Sequence, residues 1–283
     1  MTIIGGYGGM GRRFAEFFKK DGFDVTITGP NEDKGVPTAK ELGLEYTSDN
    51  KKAAAEADLV FISVPIEKTP VVIEEVAPVM KESSCLMDLT SVKTEPCALM
   101  GALAPKGVEV LGIHPVFGPS ISSFKGQNFV FCPVRGENWK SWLKRYFEDK
   151  GAKVTVSTPE EHDKVMSVVQ GMTHFMLFSA GKAMRELDFN VVDSQKFSSP
   201  VYQLILDLVG RIHAQNPEMY YEIQKNNKNV ADVRAAFINA AHGLDDLLKA
   251  DDKTNFVNEV DESGDHFGNV RDSLARTDKL LRK

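Results

Sequence analysis

The sequence has little cysteine and no long apolar run, and each absence excludes a class of protein. Its 283 residues include only three cysteines, Cys85, Cys97 and Cys132, with no CxxC pair. An odd number of widely spaced thiols argues against a disulfide framework or a cysteine zinc site and favours a reducing compartment. No segment approaches the ~20 apolar residues that cross a bilayer, and the first residues lack the basic start and apolar core of a signal peptide. We therefore expect a cytoplasmic protein that does not act on a membrane.

An excess of positive charge is also missing. The formal net charge is −6, whereas surfaces that bind nucleic acid or anionic membranes are basic. Neither partner is expected, although a local basic pocket for a small anion remains compatible with this charge. The sequence shows no internal repeat and no low-complexity tract. Its length favours two domains.

Strand-like and helical segments alternate up to about residue 155. Seven short runs rich in apolar and β-branched residues are candidate strands: "TII", "DVTIT", "DLVFISV", "SCLMDL", "VEVLGI", "NFVFCPV" and "AKVTVS". Amphipathic stretches lie between them, and the first carries apolar residues at helical spacing: Met10, Phe14, Phe17 and Phe18. This alternation predicts a parallel, doubly wound sheet. We place this α/β domain at residues 1–158.

Beyond that point the strand signal disappears. The pattern predicts helices over about 160–188, 200–224, 229–250 and 266–282, and so an all-helical domain at 159–283. The first of these helices is rich in apolar side chains: Val165, Val168, Val169, Met172, Phe175, Met176 and Phe178. Apolar faces this wide are rare on monomers. We expect two helical domains to pair about a two-fold axis into a homodimer.

A glycine motif opens the α/β domain. Gly6, Gly8 and Gly11 form GxGxxG directly after "TII" and at the start of the first amphipathic helix. This is the context in which such glycines bind a dinucleotide pyrophosphate, although glycine-rich turns also form for purely steric reasons. It predicts a Rossmann-like domain that binds NAD or NADP. The residues expected to contact the cofactor from this turn, and from the dipeptide that ends the strand "DLVFISV", are Gly6, Tyr7, Gly8, Gly9, Met10, Gly11, Val64 and Pro65.

One expected feature of a dinucleotide site is absent. An acidic residue for the ribose hydroxyls should end the second strand, but Thr28, Gly29, Pro30 and Asn31 stand there, without an arginine. Asn31 is the residue we assign to the ribose. The choice between NAD and NADP stays open.

Two further strand ends carry polar residues. "MDLTSVK" places Asp88, Ser91 and Lys93 after a buried strand, where open α/β sheets bind ligands. Capping of the following helix is the alternative for the aspartate or the serine. "GIHPVFGPS" places His114 after another strand, where Pro115 keeps it out of helical backbone. By itself, His114 is either a turn residue or a catalytic group.

Together these motifs carry a family resemblance. "GGYGGMG", "SVPIEKT", "DLTSVK", "GIHPVFGPS", "EEHDKVMSVVQGMTHF" and "SSPVYQLILDLVGRIHAQNPEMYYEIQ" occur in the order found in the prephenate dehydrogenase family of tyrosine biosynthesis. The sequence resembles that family over about residues 2–225, most closely members with a helical dimerisation domain. The resemblance implies oxidative decarboxylation of prephenate to 4-hydroxyphenylpyruvate.

The resemblance also implies roles for individual residues. His114 matches the family's catalytic histidine, Ser91 a serine that orients the substrate hydroxyl, and Lys93 a lysine of the catalytic region. Arg211 matches the arginine that binds a substrate carboxylate, and Asp88 is expected at the cofactor. Three further residues are expected to complete the substrate pocket: His174, Gln215 and Tyr220.

Several of these residues have a second interpretation. Arg211 could instead pair with Asp207 on its own helix, and His174 could be a satisfied core histidine. We expect His162 to mark a helix start or an interdomain contact. At Gln203 some family members carry a second arginine, so a second basic contact is not expected here.

Three other functions compete with the leading one. The first is arogenate dehydrogenase, which oxidises the amino acid analogue of prephenate. The second is a β-hydroxyacid dehydrogenase, whose catalytic lysine could only be Lys182. The third is a dinucleotide-binding redox sensor, which would not need His114, Ser91 and Arg211 together.

Overall fold

The computed structural model describes residues 1–281, which divide into two compact units. The first contains residues 1–166 and 221–228, and the second contains 167–220 and the residues from 229 onward. The first unit thus extends past residue 158, where we place the domain boundary, and includes the helix Pro159–Met166.

An eight-stranded sheet forms the centre of the first unit, in the order β3-β2-β1-β4-β5-β6-β7-β8. Its strands are β1 (Thr2–Ile4), β2 (Thr26–Thr28), β3 (Glu45–Thr47), β4 (Leu59–Ile62), β5 (Cys85–Asp88), β6 (Glu109–Pro115), β7 (Asn128–Arg135) and β8 (Lys153–Val156). Neighbouring strands are parallel except β6 and β7, which are antiparallel. The predicted Rossmann-like class is confirmed.

Two details of the sheet differ from the sequence prediction. β3 is an additional edge strand, whose three residues "EYT" are too few and too polar to stand out as a strand. β7 reverses direction because a loop without a crossover helix joins it to β6, and a parallel partner would need such a crossover.

Helices cover both faces of the sheet. They are α1 (Gly9–Lys20), α2 (Glu32–Leu42), α3 (Asn50–Glu56), α4 (Thr69–Val76), α5 (Thr94–Leu103), α6 (Asn138–Asp149) and α7 (Pro159–Met166). One core holds the fully buried rings of Phe14 and Phe18 from the predicted stripe of α1, with Phe147 of α6. The other core contains residues of α3, α4 and α5. Because both faces are covered, the central strands β1, β4 and β5 are buried along their whole length.

The second unit is entirely helical over the residues described. A π-helical turn (Ser167–Met172) leads into α8 (Thr173–Glu186), followed by α9 (Val191–Ser194), α10 (Pro200–His213), α11 (Pro217–Asn226), α12 (Val230–Lys249), α13 (Lys253–Phe267) and α14 (Val270–Leu281). The last six residues of α11 belong to the first unit. The helix predicted over 200–224 is two helices because Pro217 starts a new one, and α13 is a helix that the sequence pattern did not predict.

Many apolar side chains of the second unit lie on its surface. Leu187, Val192 and Phe197 are largely exposed, and Phe197 as a residue is 89% exposed. Few residues of this unit are buried, Leu206, Ile212 and Val230 among them. Across residues 1–281, no helix is both long enough and apolar enough to span a membrane.

Candidate active site

The glycine-rich turn joins β1 to α1 and needs its glycines for steric reasons. Gly5 has a φ of +80°, and its N–H donates to Thr28 O over 2.8 Å. A Cβ on Gly11 would lie 2.5 Å from Gly5 O, and one on Gly6 would lie 2.5 Å from the Ile27 side chain. Gly8 is the N-cap of α1 and gives the first turn no side-chain hydrogen bond. The turn therefore leaves backbone N–H groups at a helix N-terminus, an arrangement that binds phosphate.

Tyr7 of the glycine-rich turn packs against the end of β2, where dinucleotide sites usually have an acidic residue. The backbone N–H of Asn31 donates to Tyr7 Oη over 3.1 Å, and a Cβ on Gly29 would strike the Tyr7 ring at 2.5 Å. Asn31 Oδ1 accepts the Lys34 N–H over 3.0 Å and so caps α2. The side-chain oxygen of Asn31, which could contact the ribose, thus already accepts a hydrogen bond from α2.

A buried ion pair lies below the end of β5. Lys93 Nζ contacts a carboxylate oxygen of Asp88, donates to Ile113 O over 3.1 Å, and lies 3.4 Å from Thr90 Oγ1. Both charged side chains are 0% exposed. The ammonium has three N–H donors, so these contacts occupy all of them. Lys93 ties β5 to the strand that carries His114.

His114 is buried at the end of β6 and belongs to a chain of three side chains. Its Nδ1 lies 2.8 Å from His162 Nε2, and His162 Nδ1 lies 2.8 Å from Asp163 Oδ1. His114 and His162 are each 2% exposed. This contact gives His162 a specific partner within the first unit.

Asp163 is fixed by the start of α5. Its Oδ1 accepts the backbone N–H of Lys93 over 2.8 Å, and its Oδ2 accepts the backbone N–H of Thr94 over 2.9 Å. Thr94 Oγ1 also donates to Oδ2 over 2.6 Å. Asn227 donates to the Asp163 carbonyl over 2.7 Å. The Asp163 carboxylate therefore accepts the N–H groups at the start of α5, although Asp163 itself belongs to α7. These contacts fix its position.

These contacts determine the protonation states. Burial, with the adjacent His162 and the Lys93 charge, holds the pKa of His114 well below its ordinary value, and the Asp163 charge offsets this only in part. Burial alone would raise the pKa of Asp163, but hydrogen bonds from His162, Thr94 and Lys93 lower it. At neutral pH, His114 is a neutral imidazole and Asp163 is a carboxylate.

The loop after β6 returns to the glycine-rich turn. Arg13 of α1 donates from Nε to Pro119 O over 2.8 Å. A Cβ on Gly9 would lie 3.2 Å from the Pro119 ring. The loop that follows His114 is therefore attached to the first turn of α1, which joins the two motifs within one unit.

The second unit holds the other predicted side chains. The rings of His174 and Tyr220 meet edge to face with centroids 4.7 Å apart, and Tyr220 is buried. Burial lowers the pKa of His174 to about 4, and among the described residues none hydrogen-bonds its Nδ1. Arg211 is exposed on α10, and Gln215 donates to its carbonyl over 3.3 Å.

Comparison with known proteins identifies this arrangement. Residues 14–156 match the prephenate dehydrogenase nucleotide-binding domain, and residues 158–262 match the prephenate dehydrogenase dimerization domain. The chain belongs to the prephenate dehydrogenase family. The predicted resemblance is therefore confirmed.

Two relatives show how far the similarity extends. The probable arogenate/prephenate dehydrogenase of Methanocaldococcus jannaschii is 40% identical over 95% of this chain, and the T-protein of Haemophilus influenzae is 31% identical over 99% of it. The chain spans 61% of the length of the first relative and 70% of the second.

Solved structures of the family share the fold. The prephenate dehydrogenase of Aquifex aeolicus, in complex with hydroxyphenyl propionate and NAD+, aligns with a TM-score of 0.76 at 21% identity, over 95% of this chain and 97% of that one. Synechocystis arogenate dehydrogenase aligns with a TM-score of 0.69 at 18% identity, over 94% and 98% of the two chains.

The contacts of two side chains bear on two alternative interpretations of the sequence. Lys182, the only candidate for a β-hydroxyacid dehydrogenase lysine, is exposed and pairs with Glu186 on α8. Arg211 forms no ion pair with Asp207 among the described residues, and Asp207 instead accepts from Gln203 over 3.0 Å.

The structure also locates the remaining predicted residues. Ser91 is half-buried in the turn between β5 and α5, and Val64 is half-buried beside Gly5. Pro65 is exposed, and Met10 packs against the core from the first turn of α1. Their contacts with substrate or cofactor stay predictions.

Sequence reasoning missed several residues that shape the site. His162 and Asp163 were not assigned to His114, and neither Asn227 nor Gly5 was singled out. "EEHD" lies about fifty residues after His114, so only the fold brings the two together. A histidine followed directly by an acid was the one available signal.

Proposed function

We propose that this protein is a prephenate dehydrogenase that converts prephenate to 4-hydroxyphenylpyruvate. The observation that carries the proposal is His114, a buried neutral imidazole at a strand end, held through Nδ1 by His162. A histidine in this state can take a proton through its other nitrogen. The reaction needs a base for the C4 hydroxyl of the substrate.

The fit to a nicotinamide dinucleotide rests on the glycine-rich turn. A side chain at Gly6 would collide with Ile27, one at Gly11 would collide with the turn itself, and the first N–H groups of α1 carry no side-chain cap. These features suit a pyrophosphate. When bound, the oxidised nicotinamide accepts the hydride that leaves C4.

The protein's own residues then handle the proton and the carboxylates. His114 Nε2 takes the hydroxyl proton while the C4–H bond breaks, so that a C4 carbonyl develops. The bond to the ring carboxylate breaks, CO2 leaves, and its electron pair makes the ring aromatic as a phenolate. His114 then returns the proton to the phenolate oxygen. Arg211 presents a planar guanidinium to a substrate carboxylate, while Ser91 orients the hydroxyl.

Arogenate is the second candidate substrate, because the Methanocaldococcus relative carries both names. Initial rates with purified protein and each substrate test the proposal. We expect turnover of prephenate to exceed that of arogenate. Faster arogenate turnover would make this an arogenate dehydrogenase, and turnover of neither would favour a dinucleotide-binding sensor.

The same assay tests the cofactor. Neither a ribose-binding acid nor an arginine ends β2, where Tyr7 and Gly29 are packed together. We therefore expect both NAD and NADP to serve, with kcat/KM values within about two decades, or ~3 kcal/mol. Strict preference for NAD would indicate that Glu32 or Asp33 reaches the ribose, and strict preference for NADP would indicate Lys34 as the phosphate partner.

A further inference from the structure

The contacts around His114 determine where each imidazole proton lies. Asp163 is a carboxylate whose oxygens only accept hydrogen bonds, so His162 Nδ1 must carry the proton between them. A neutral His162 then has an unprotonated Nε2, which accepts from His114 Nδ1 over 2.8 Å. A neutral His114 is left with its lone pair on Nε2. One carboxylate thus sets the tautomer of a histidine two side chains away.

We propose that His162 and Asp163 are positioning residues that hold His114 as the Nδ1–H tautomer and receive its excess proton. The proposal rests on the function proposed above, in which His114 Nε2 is the base. When that nitrogen gains a proton, the proton on His114 Nδ1 can move across the existing hydrogen bond to His162 Nε2. His162 becomes an imidazolium beside the Asp163 carboxylate, and His114 becomes neutral again.

The surrounding charges favour this second location. Lys93 lies buried on the side of β5 and disfavours a positive charge on His114, as the direction of the His114 pKa shift shows. Asp163 contacts His162 directly, and it keeps its charge because Lys93 N and Thr94 N donate to it. A proton passed to His162 would lie directly beside the Asp163 carboxylate, which attracts positive charge.

To orient His162, the Asp163 carboxylate must also be held rigidly. Asp163 accepts four hydrogen bonds: from His162 and from the backbone N–H of Lys93 through Oδ1, and from the backbone N–H and hydroxyl of Thr94 through Oδ2. Asn227 restrains the backbone of the same residue. A carboxylate held this firmly can orient a histidine pair, just as second partners orient catalytic imidazoles in general.

The tautomer can be measured without any substrate. Protein labelled with ¹⁵N in its histidines gives separate shifts for protonated and unprotonated ring nitrogens, and His114→Asn assigns the His114 signals. At pH 7.5 we expect protonated Nδ1 and unprotonated Nε2 on His114. A wild-type His114 protonated on Nε2 instead would overturn the proposal.

Two variants at position 162 separate positioning from packing. His162→Gln keeps an oxygen that can accept from His114 Nδ1, whereas His162→Leu keeps the bulk without an acceptor. We expect the leucine variant to lose the Nδ1–H tautomer and ~10²–10⁴-fold in kcat, while the glutamine variant keeps the tautomer and much of the rate. Equal kcat and tautomer in both variants would refute the proposal. His242→Gln, at an exposed site on α12, is the matched control.

Asp163→Asn tests the first member of the hydrogen-bonded series Asp163–His162–His114. Because Asp163 Oδ1 also accepts the backbone N–H of Lys93, we expect the amide oxygen to stay on that side and the NH₂ to face the Thr94 hydroxyl, so the tautomers are kept while the negative charge beside His162 is lost. We expect an unchanged NMR signature together with a loss of kcat, and an unchanged kcat in the folded variant would contradict the proposed transfer of the proton to His162. Should wild-type protein turn over neither prephenate nor arogenate, the proposed function fails, but the ¹⁵N shifts still decide whether His162 and Asp163 set the tautomer.

Discussion

The polar residues predicted for the site differ in burial and hydrogen bonding between the two units. In the first, His114, Asp88 and Lys93 are buried and held by contacts within the same unit. In the second, Arg211 is exposed, and no described residue hydrogen-bonds Nδ1 of the half-buried His174. The α/β unit therefore holds these three side chains in place with its own residues, as the proposed base requires. In the helical unit, Arg211 is open to solvent, so its predicted contact with a substrate carboxylate needs no residue to move away.

The strongest test of this comparison is removal of the base. His114→Asn keeps a polar side chain but cannot take the hydroxyl proton, so kcat should fall by ~10²–10⁴-fold. Dinucleotide affinity, measured by fluorescence titration, should barely change, because the glycine-rich turn does not involve His114. A variant that retains most of its kcat would show that the base lies elsewhere.

Removal of the exposed guanidinium should have a smaller effect and a different kinetic signature. Arg211→Ala deletes a charged hydrogen bond to a carboxylate, worth about 1.5–3 kcal/mol, so KM for prephenate should rise ~10–100-fold. KM for the dinucleotide should stay the same. Arg271→Ala, at an exposed site on α14, is the matched control. An unchanged KM for prephenate would remove Arg211 from the substrate site.

The sequence predicted the fold of the first unit better than its details. Seven of the eight strands stand out because each lies in a short run rich in apolar and β-branched residues. β3 could not be predicted in this way, because it lies at a partly solvated edge of the sheet and "EYT" contains no run of apolar residues. The direction of β7 escapes because it depends on the connection after Pro115, not on the strand's own composition.

The site was predictable only where a local motif marks it. The glycines and His114 stand in short segments whose residue types reveal strain or chemistry. His162 contacts His114, and Asp163 contacts Lys93, only because the fold brings distant segments together. Asn227 is similar, because its amide meets the Asp163 carbonyl from a segment more than sixty residues away. No local pattern encodes such a pairing.

Assembly tests the other half of the comparison. The second unit exposes large apolar side chains, including Leu187, Val192 and Phe197, and such surfaces are rare on monomers. We expect sedimentation to show a dimer at micromolar concentration. Phe197→Asp should weaken that dimer, whereas Asn258→Asp adds the same charge at an exposed polar site and should not. A stable wild-type monomer would contradict the expected pairing.

The smallest expected effect concerns the half-buried histidine of the second unit. Burial lowers the pKa of His174 to about 4, whereas an unfolded chain titrates this group near 6.5. Between these values the unfolded state binds more protons, so stability should fall as the pH drops from about 6.5 towards 4. Because the ring is only half-buried, solvent screening limits its share of this loss to about 1 kcal/mol. His174→Phe should keep the edge-to-face contact with Tyr220 and lose that share. The check is urea unfolding at pH 7 and pH 5, and an identical pH dependence in both proteins would show that His174 is solvated in the folded state.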